Sequence, residues 1–123
     1  MQPRDIVQLV CQAIVDKKGS NIVTLDVREV CSITDYFIIA EGSVNRHVVA
    51  LAQQIDKALS EHGIGPIHVE GKETGDWIVL DYFDVIVHLF TPELRPYYAL
   101  EEMWNEGTLV DVPVHYERIP SKH

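Results

Sequence analysis

Cysteine is nearly missing from this chain of 123 residues. The two present, Cys11 in an apolar periodic segment and Cys31 in a loop-like stretch, show no CxxC or Cys/His spacing. That leaves no disulfide framework to read, and two reduced, half-buried thiols are expected. No apolar run approaches the roughly 18 residues of a membrane span, and no charged-then-apolar leader follows Met1. A cytoplasmic protein, or an organellar equivalent, is the expectation. Repeats, low-complexity tracts and linkers are absent as well, so a single globular domain large enough to bury its own core is expected.

Positive charge is scarce where it would matter for nucleic acid. Between His68 and Asp111 only Lys72 and Arg95 stand against ten carboxylates, within a chain whose net charge is −9. Such a surface repels a phosphate backbone, so little direct nucleic-acid contact is expected. It attracts a cationic protein instead, chiefly by speeding association. Solubility alone accounts for the same charge equally well.

Catalytic signatures are missing too. There is no GxGxxG, no GxxxxGK[ST], no HExxH and no GxSxG. Asp76, Asp81 and Asp84 lie at spacings that suit no metal cluster, and solvated or structural carboxylates are the reading preferred. No metal, cofactor or catalytic residue is assigned.

What the chain does contain is clear hydrophobic patterning, in the order α-β-β-α-β-β-β-α. Pro3 suits a first helical turn, and Ile6, Leu9, Val10, Ala13 and Ile14 follow at helical spacing until Gly19. Ile22 to Val27 alternates as a half-buried strand does. Tyr36 to Ala40 is a continuous apolar run, predicted to be a strand buried on both faces. A second helix is predicted from about Asn45 to Glu61, followed by a short strand from Ile67 to Glu70. Two paired strands then run from Trp77 to Tyr82 and from Val85 to Phe90. Thr91-Pro92-Glu93 signals the start of a last helix. Past Trp104, with Gly107, Pro113 and Pro120, a loosely held tail is expected.

If Phe83 and Asp84 form a two-residue turn, counting sets the register. Tyr82 then faces Val85, Leu80 faces Val87 and Ile78 faces Leu89, all on a core face. The opposite face carries Trp77 with Phe90, Val79 with His88 and Asp81 with Ile86. That mixture of rings, one carboxylate and one imidazole has the composition of an interface core. A helix covering this face, with Trp77 and Phe90 as ordinary core, is the competing reading. Phe83-Asp84 lacks the Gly or Asn of a primed turn, and a one-residue slip inverts every assignment. On the last helix Tyr97, Leu100 or Glu101, and Trp104 share a stripe, and Tyr97 or Tyr98 is expected to be partly exposed.

The segment Glu41-Gly42-Ser43-Val44-Asn45-Arg46-His47 leads from a strand into a helix. Ser43 or Asn45 can cap it, and its amides offer an anion site. Arg46 and His47 sit where the helix dipole opposes positive charge, which points to a nearby anion or to a carboxylate partner such as Glu41 or Asp35.

Taken together, several segments resemble the Iojap family of ribosomal silencing factors. They are Ser32-Ile33-Thr34-Asp35-Tyr36-Phe37-Ile38-Ile39, Gly42-Ser43 with Arg46-His47-Val48, Glu70-Gly71, Trp77 to Tyr82, Asp84 to His88, and Tyr98-Leu100-Glu101-Trp104. The resemblance covers the chain to about Val112, which sets a domain at 1–112 and an irregular tail at 113–123. It implies a single α/β domain with a mixed five-stranded sheet and three helices, similar to nucleotidyltransferases but without their chemistry. It also implies binding to ribosomal protein fourteen of the large subunit on the face that meets the small subunit. Blocked subunit joining, translation damped under nutrient limitation, and a homodimer when free go with that role. By the same resemblance the docking residues are Trp77, Asp81, His88, Tyr98, Glu101 and Trp104. Phe83 departs from the pattern, where a small residue such as glycine is usual. Two alternatives remain: a nucleotide-binding or nucleotidyl-transferring enzyme using Gly42, Ser43 and Asp81, and a dimeric adaptor for another basic partner.

Overall fold

Glycine placement and apolar periodicity together set where this chain turns, and the computed structural model describes residues 1–93 and 107–115. The elements are α1 (Pro3–Asp16), β1 (Ser20–Asp26), β2 (Tyr36–Glu41), α2 (Asn45–Ser60), β3 (His68–Glu70), β4 (Trp77–Asp81), β5 (Val85–Phe90) and β6 (Thr108–Leu109). They form one mixed sheet in the order β3-β4-β5-β2-β1-β6. Among the described residues only the central β2–β5 pair is parallel, and the other pairs are antiparallel. β2 is buried along its whole length, as its unbroken apolar run requires of a central strand.

Helices α1 and α2 pack on one face of the sheet. Val7, Val10 and Ile14 of α1 meet Leu51, Ile55 and Leu59 of α2 over Ile38, Ile78, Val87 and Leu89. At the start of α1, the Asp5 carboxylate accepts a hydrogen bond from the Gln2 amide at 3.0 Å, which suits the positive end of the helix. The other face carries a smaller cluster of Leu25, Val27, Phe37, Ile39 and Phe90. The hairpin has the register obtained by counting: Trp77 opposite Phe90, Ile78 opposite Leu89, Val79 opposite His88, Leu80 opposite Val87 and Asp81 opposite Ile86. The Tyr82 amide donates to the Val85 carbonyl at 2.9 Å, closing the turn around Phe83 and Asp84.

Two expectations are corrected. Among the described residues the sheet has six strands rather than five, because Thr108–Leu109 adds to the free edge of β1. The segment read as loose past Trp104 is, over residues 107–115, a strap held by specific bonds. The Val110 amide donates to the Thr24 carbonyl at 2.9 Å. Gln12 both donates to the His115 carbonyl and accepts from the His115 amide, at 2.8 Å each, and the Gln8 side chain donates to the Pro113 carbonyl. Val110, Val112 and Val114 rest against the main core. The reason is an edge problem: the outer rim of β1 presents unpaired backbone groups, and laying chain along it satisfies them. The third predicted helix, with Tyr97, Tyr98, Glu101 and Trp104, lies outside the described residues.

Both cysteines are free thiols, Cys11 buried and Cys31 partly so. Burial pushes the Cys11 thiol up from its ordinary value, against a 3.4 Å contact with the Thr24 hydroxyl.

Candidate functional site

Strand alternation places Trp77, Asp81 and His88 on the sheet face opposite α1 and α2. Two more rings, Phe37 and Phe90, join them. His88 stacks on Trp77 at 6.1 Å, on Phe37 at 5.5 Å and on Phe90 at 6.1 Å, with Trp77 against Phe90 at 5.5 Å. The array is therefore a row of four rings across β4, β5 and β2. Phe90 is 0% exposed, so the ring that the sequence pairs with Trp77 as interface is core, while Trp77 and His88 stay half-buried. Phe37 was not foreseen here. Its place follows from the parallel β2–β5 register, in which Ile39 lies opposite His88 and Phe37 opposite Ile86, and no local pattern encodes that pairing.

The Trp77 indole N–H donates to His88 Nδ1 at 3.3 Å, which requires a ring nitrogen without a proton. Burial pushes the His88 imidazole down to about 4. His88 is thus a neutral acceptor that orients Trp77, not a cation at neutral pH. Asp81 is half-buried, and its Oδ1 accepts the Phe83 amide at 2.9 Å. One carboxylate oxygen thereby holds the hairpin turn.

The strand-to-helix loop is held by its own bonds, and Val44 rather than Ser43 or Asn45 occupies the cap position of α2, without a side-chain cap bond. The Gly42 amide donates to the Phe90 carbonyl at 2.9 Å. The Ser43 amide donates to His47 Nδ1 at 2.8 Å, while His47 Nε2 lies 2.7 Å from the Lys17 carbonyl. A carbonyl only accepts, so Nε2 donates while Nδ1 accepts, and the imidazole clasps the loop to the end of α1. A Cβ on Gly42 would stand 2.8 Å from the Val48 amide nitrogen, so glycine there serves close packing. Arg46 is exposed, and Glu41 is buried and accepts from the Asn21 side-chain amide at 2.9 Å. Replacing His47 with alanine is expected to cost about 1 kcal/mol of stability and to speed hydrogen exchange at the Ser43 amide. Unchanged exchange would show that the imidazole does not hold this loop.

Gly42, Ser43 and Asp81 are not brought together. Gly42 and Ser43 follow the β2 residue Glu41, paired with Phe90, whereas Asp81 pairs with Ile86 at the other end of β5. Four strand residues, about 13 Å, separate those positions. Among the described residues no group of three or more His, Cys, Asp or Glu is placed to hold a metal ion. No helix among them is long and apolar enough to cross a membrane.

Comparison with known proteins matches the ring-bearing sheet and its flanks as a unit. The family model described as "Ribosomal silencing factor during starvation" matches residues 1–122. The chain belongs to this ribosomal silencing factor family. It is 34% identical over 112 residues to a ribosomal silencing factor of Halalkalibacterium halodurans, covering 91% of this chain and 96% of that one. A crystal structure of a protein from Chromobacterium violaceum superposes with a TM-score of 0.82 at 36% identity, covering 94% of this chain and 95% of that chain. The chloroplastic protein Iojap of Zea mays is 28% identical over 107 residues, 87% of this chain and 46% of that protein. The Iojap resemblance read from the sequence is thus borne out at the level of the family. In family terms, the Glu70-Gly71 and Trp77 to Tyr82 segments are the β3–β4 hairpin, and the Gly42–Ser43 and Arg46-His47-Val48 segments are the entry to α2.

Proposed function

We propose that this chain represses translation by docking on large-subunit ribosomal protein fourteen, at the face that meets the small subunit, and so blocking subunit joining. The observation that carries the reading is the half-buried Trp77, held on neutral His88 on a sheet face that neither α1 nor α2 covers. A large amphipathic ring fixed by its neighbours loses little entropy on binding and suits a hot spot. Asp81, Tyr98, Glu101 and Trp104 complete the docking set, the last three lying outside the described residues. The excess of carboxylates in the second half of the chain favours a basic ribosomal protein over rRNA. Repression under nutrient limitation, a cytoplasmic setting and a homodimer when free belong to the same proposal. So does a nucleotidyltransferase-like scaffold emptied of catalytic carboxylates, since Gly42–Ser43 leads into α2 rather than into an acidic strand.

Calorimetric titration against purified ribosomal protein fourteen tests the reading. Trp77→Ala is expected to weaken binding by about 2 kcal/mol or more with an intact fold. Binding equal to that of the unaltered chain would remove Trp77 from the interface. The same instrument addresses catalysis: saturable heat with nucleoside triphosphate and magnesium would favour the enzyme reading, and none is expected.

A further inference from the structure

Phe83 is the unexplained residue of the hairpin. Its φ is 75°, in the left-handed region, and its side chain is 66% exposed. A first central residue with positive φ is where hairpin turns favour glycine, and a bulky side chain there costs backbone energy. Folding gains little from the ring, because it lies in solvent. The turn is nonetheless rigidly set. The Phe83 amide is held by Asp81 Oδ1, and the Asp84 amide donates to the Tyr82 carbonyl at 2.9 Å.

The ring does not stand alone. Among the described residues seven large hydrophobic side chains are exposed, and four of them, Val30, Ile33, Ile67 and Phe83, sit at one end of the sheet. Backbone bonds tie their loops to the same turn. The Asp35 and Tyr36 amides donate to the Asp84 carbonyl at 3.0 and 3.1 Å, and the Ile67 amide donates to the Asp81 carbonyl at 2.8 Å. Beside Val30 opens a hollow of about 430 Å³ lined also by Asp26, Arg28, Glu29 and Thr108. Arg28 is bound to the Asp26 carboxylate at 2.7 Å and, with a smaller contribution from Arg4, holds that carboxyl below its ordinary value, so the Arg28 charge is matched within the chain.

We propose that this strand end, with Phe83 as its anchor, is a second docking point for a cationic protein surface with an apolar socket. Resting on the function proposed above, it extends the contact from Trp77 along β4 by six residues, about 20 Å, within the span of one standard interface. A second copy of the chain is a poorer occupant, since Glu29, Asp35 and Asp84 would meet their own equivalents. Phosphate-bearing RNA is disfavoured for the same reason. A basic protein neutralises those carboxylates while it buries the apolar side chains.

The test pairs stability with affinity for isolated large ribosomal subunits. Phe83→Gly removes the ring and relieves the backbone, so its melting temperature is expected to equal or exceed that of the unaltered chain. Its affinity is expected to fall roughly ten-fold. Phe83→Asn, which also tolerates positive φ, is expected to lose affinity similarly. Affinity within about two-fold for both variants, while Trp77→Ala still binds weakly, overturns the second docking point and leaves the proposed function standing. If the unaltered chain itself fails to bind large subunits, both fall together.

Discussion

Gly71→Ala is expected to destabilise the fold by about 4 kcal/mol or more, enough to abolish a cooperative transition in a domain of this size. Gly71 closes β3 with φ of 90°, and a Cβ there would stand 1.9 Å from the Trp77 carbonyl oxygen. The obstructing atom is backbone, so no rotamer change removes the clash, and β3 must part from the start of β4. That start is where Trp77 meets His88, so the site is lost with the hairpin. Urea denaturation followed by tryptophan fluorescence measures the effect. Gly63→Ala is the control for backbone conformation alone: its φ is 75°, but nothing lies within 4 Å of its Cβ position. A cost of about 1 kcal/mol is expected there. Equal costs at the two positions would show that the close approach at Trp77 is not what requires glycine.

The second large effect is a dependence of stability on pH set by His88. Its folded value, about 4, lies below the ordinary 6.5 because burial disfavours the imidazolium. Between those values the unfolded chain binds a proton that the folded chain refuses. The stability tied to neutral His88 is therefore complete above pH 6.5 and declines as pH falls towards 4, by on the order of 3 kcal/mol. Carboxylates titrate in the lower part of this window too, so the comparison is with His88→Phe, which keeps a ring in the stack. Denaturation midpoints from pH 7 to 4 should fall more steeply for the unaltered chain than for the variant. Parallel profiles would mean that His88 accepts its proton without cost in the folded state.

Legibility in the sequence tracked how local the determining physics is. The register of the β4–β5 hairpin was readable once a two-residue turn at Phe83-Asp84 was assumed, because period-two alternation then puts Ile78, Leu80 and Tyr82 on the core face; the turn residues themselves did not exclude a one-residue slip. The burial of β2 was readable from its unbroken apolar run. The β6 strap was not, since Thr108–Leu109 is too short to show a period and its partner β1 lies more than 80 residues earlier in the chain. The site divided in the same way. Trp77, Asp81 and His88 fell on one face by counting, whereas Phe37 joined them through a parallel pairing without a local signature. His47 as a loop clasp was visible only as a conflict between positive charge and helix dipole. The glycine-like backbone of Phe83 was foreshadowed by its departure from the family pattern.

Subunit joining is the measurement that reaches the central claim most directly. Large subunits preloaded with the chain are mixed with small subunits and followed by light scattering, then separated by sedimentation. The account predicts that whole ribosomes fail to form while the chain travels with the large subunit, and that Trp77→Ala restores joining. Whole ribosomes forming at full yield with the chain still bound to them would contradict it.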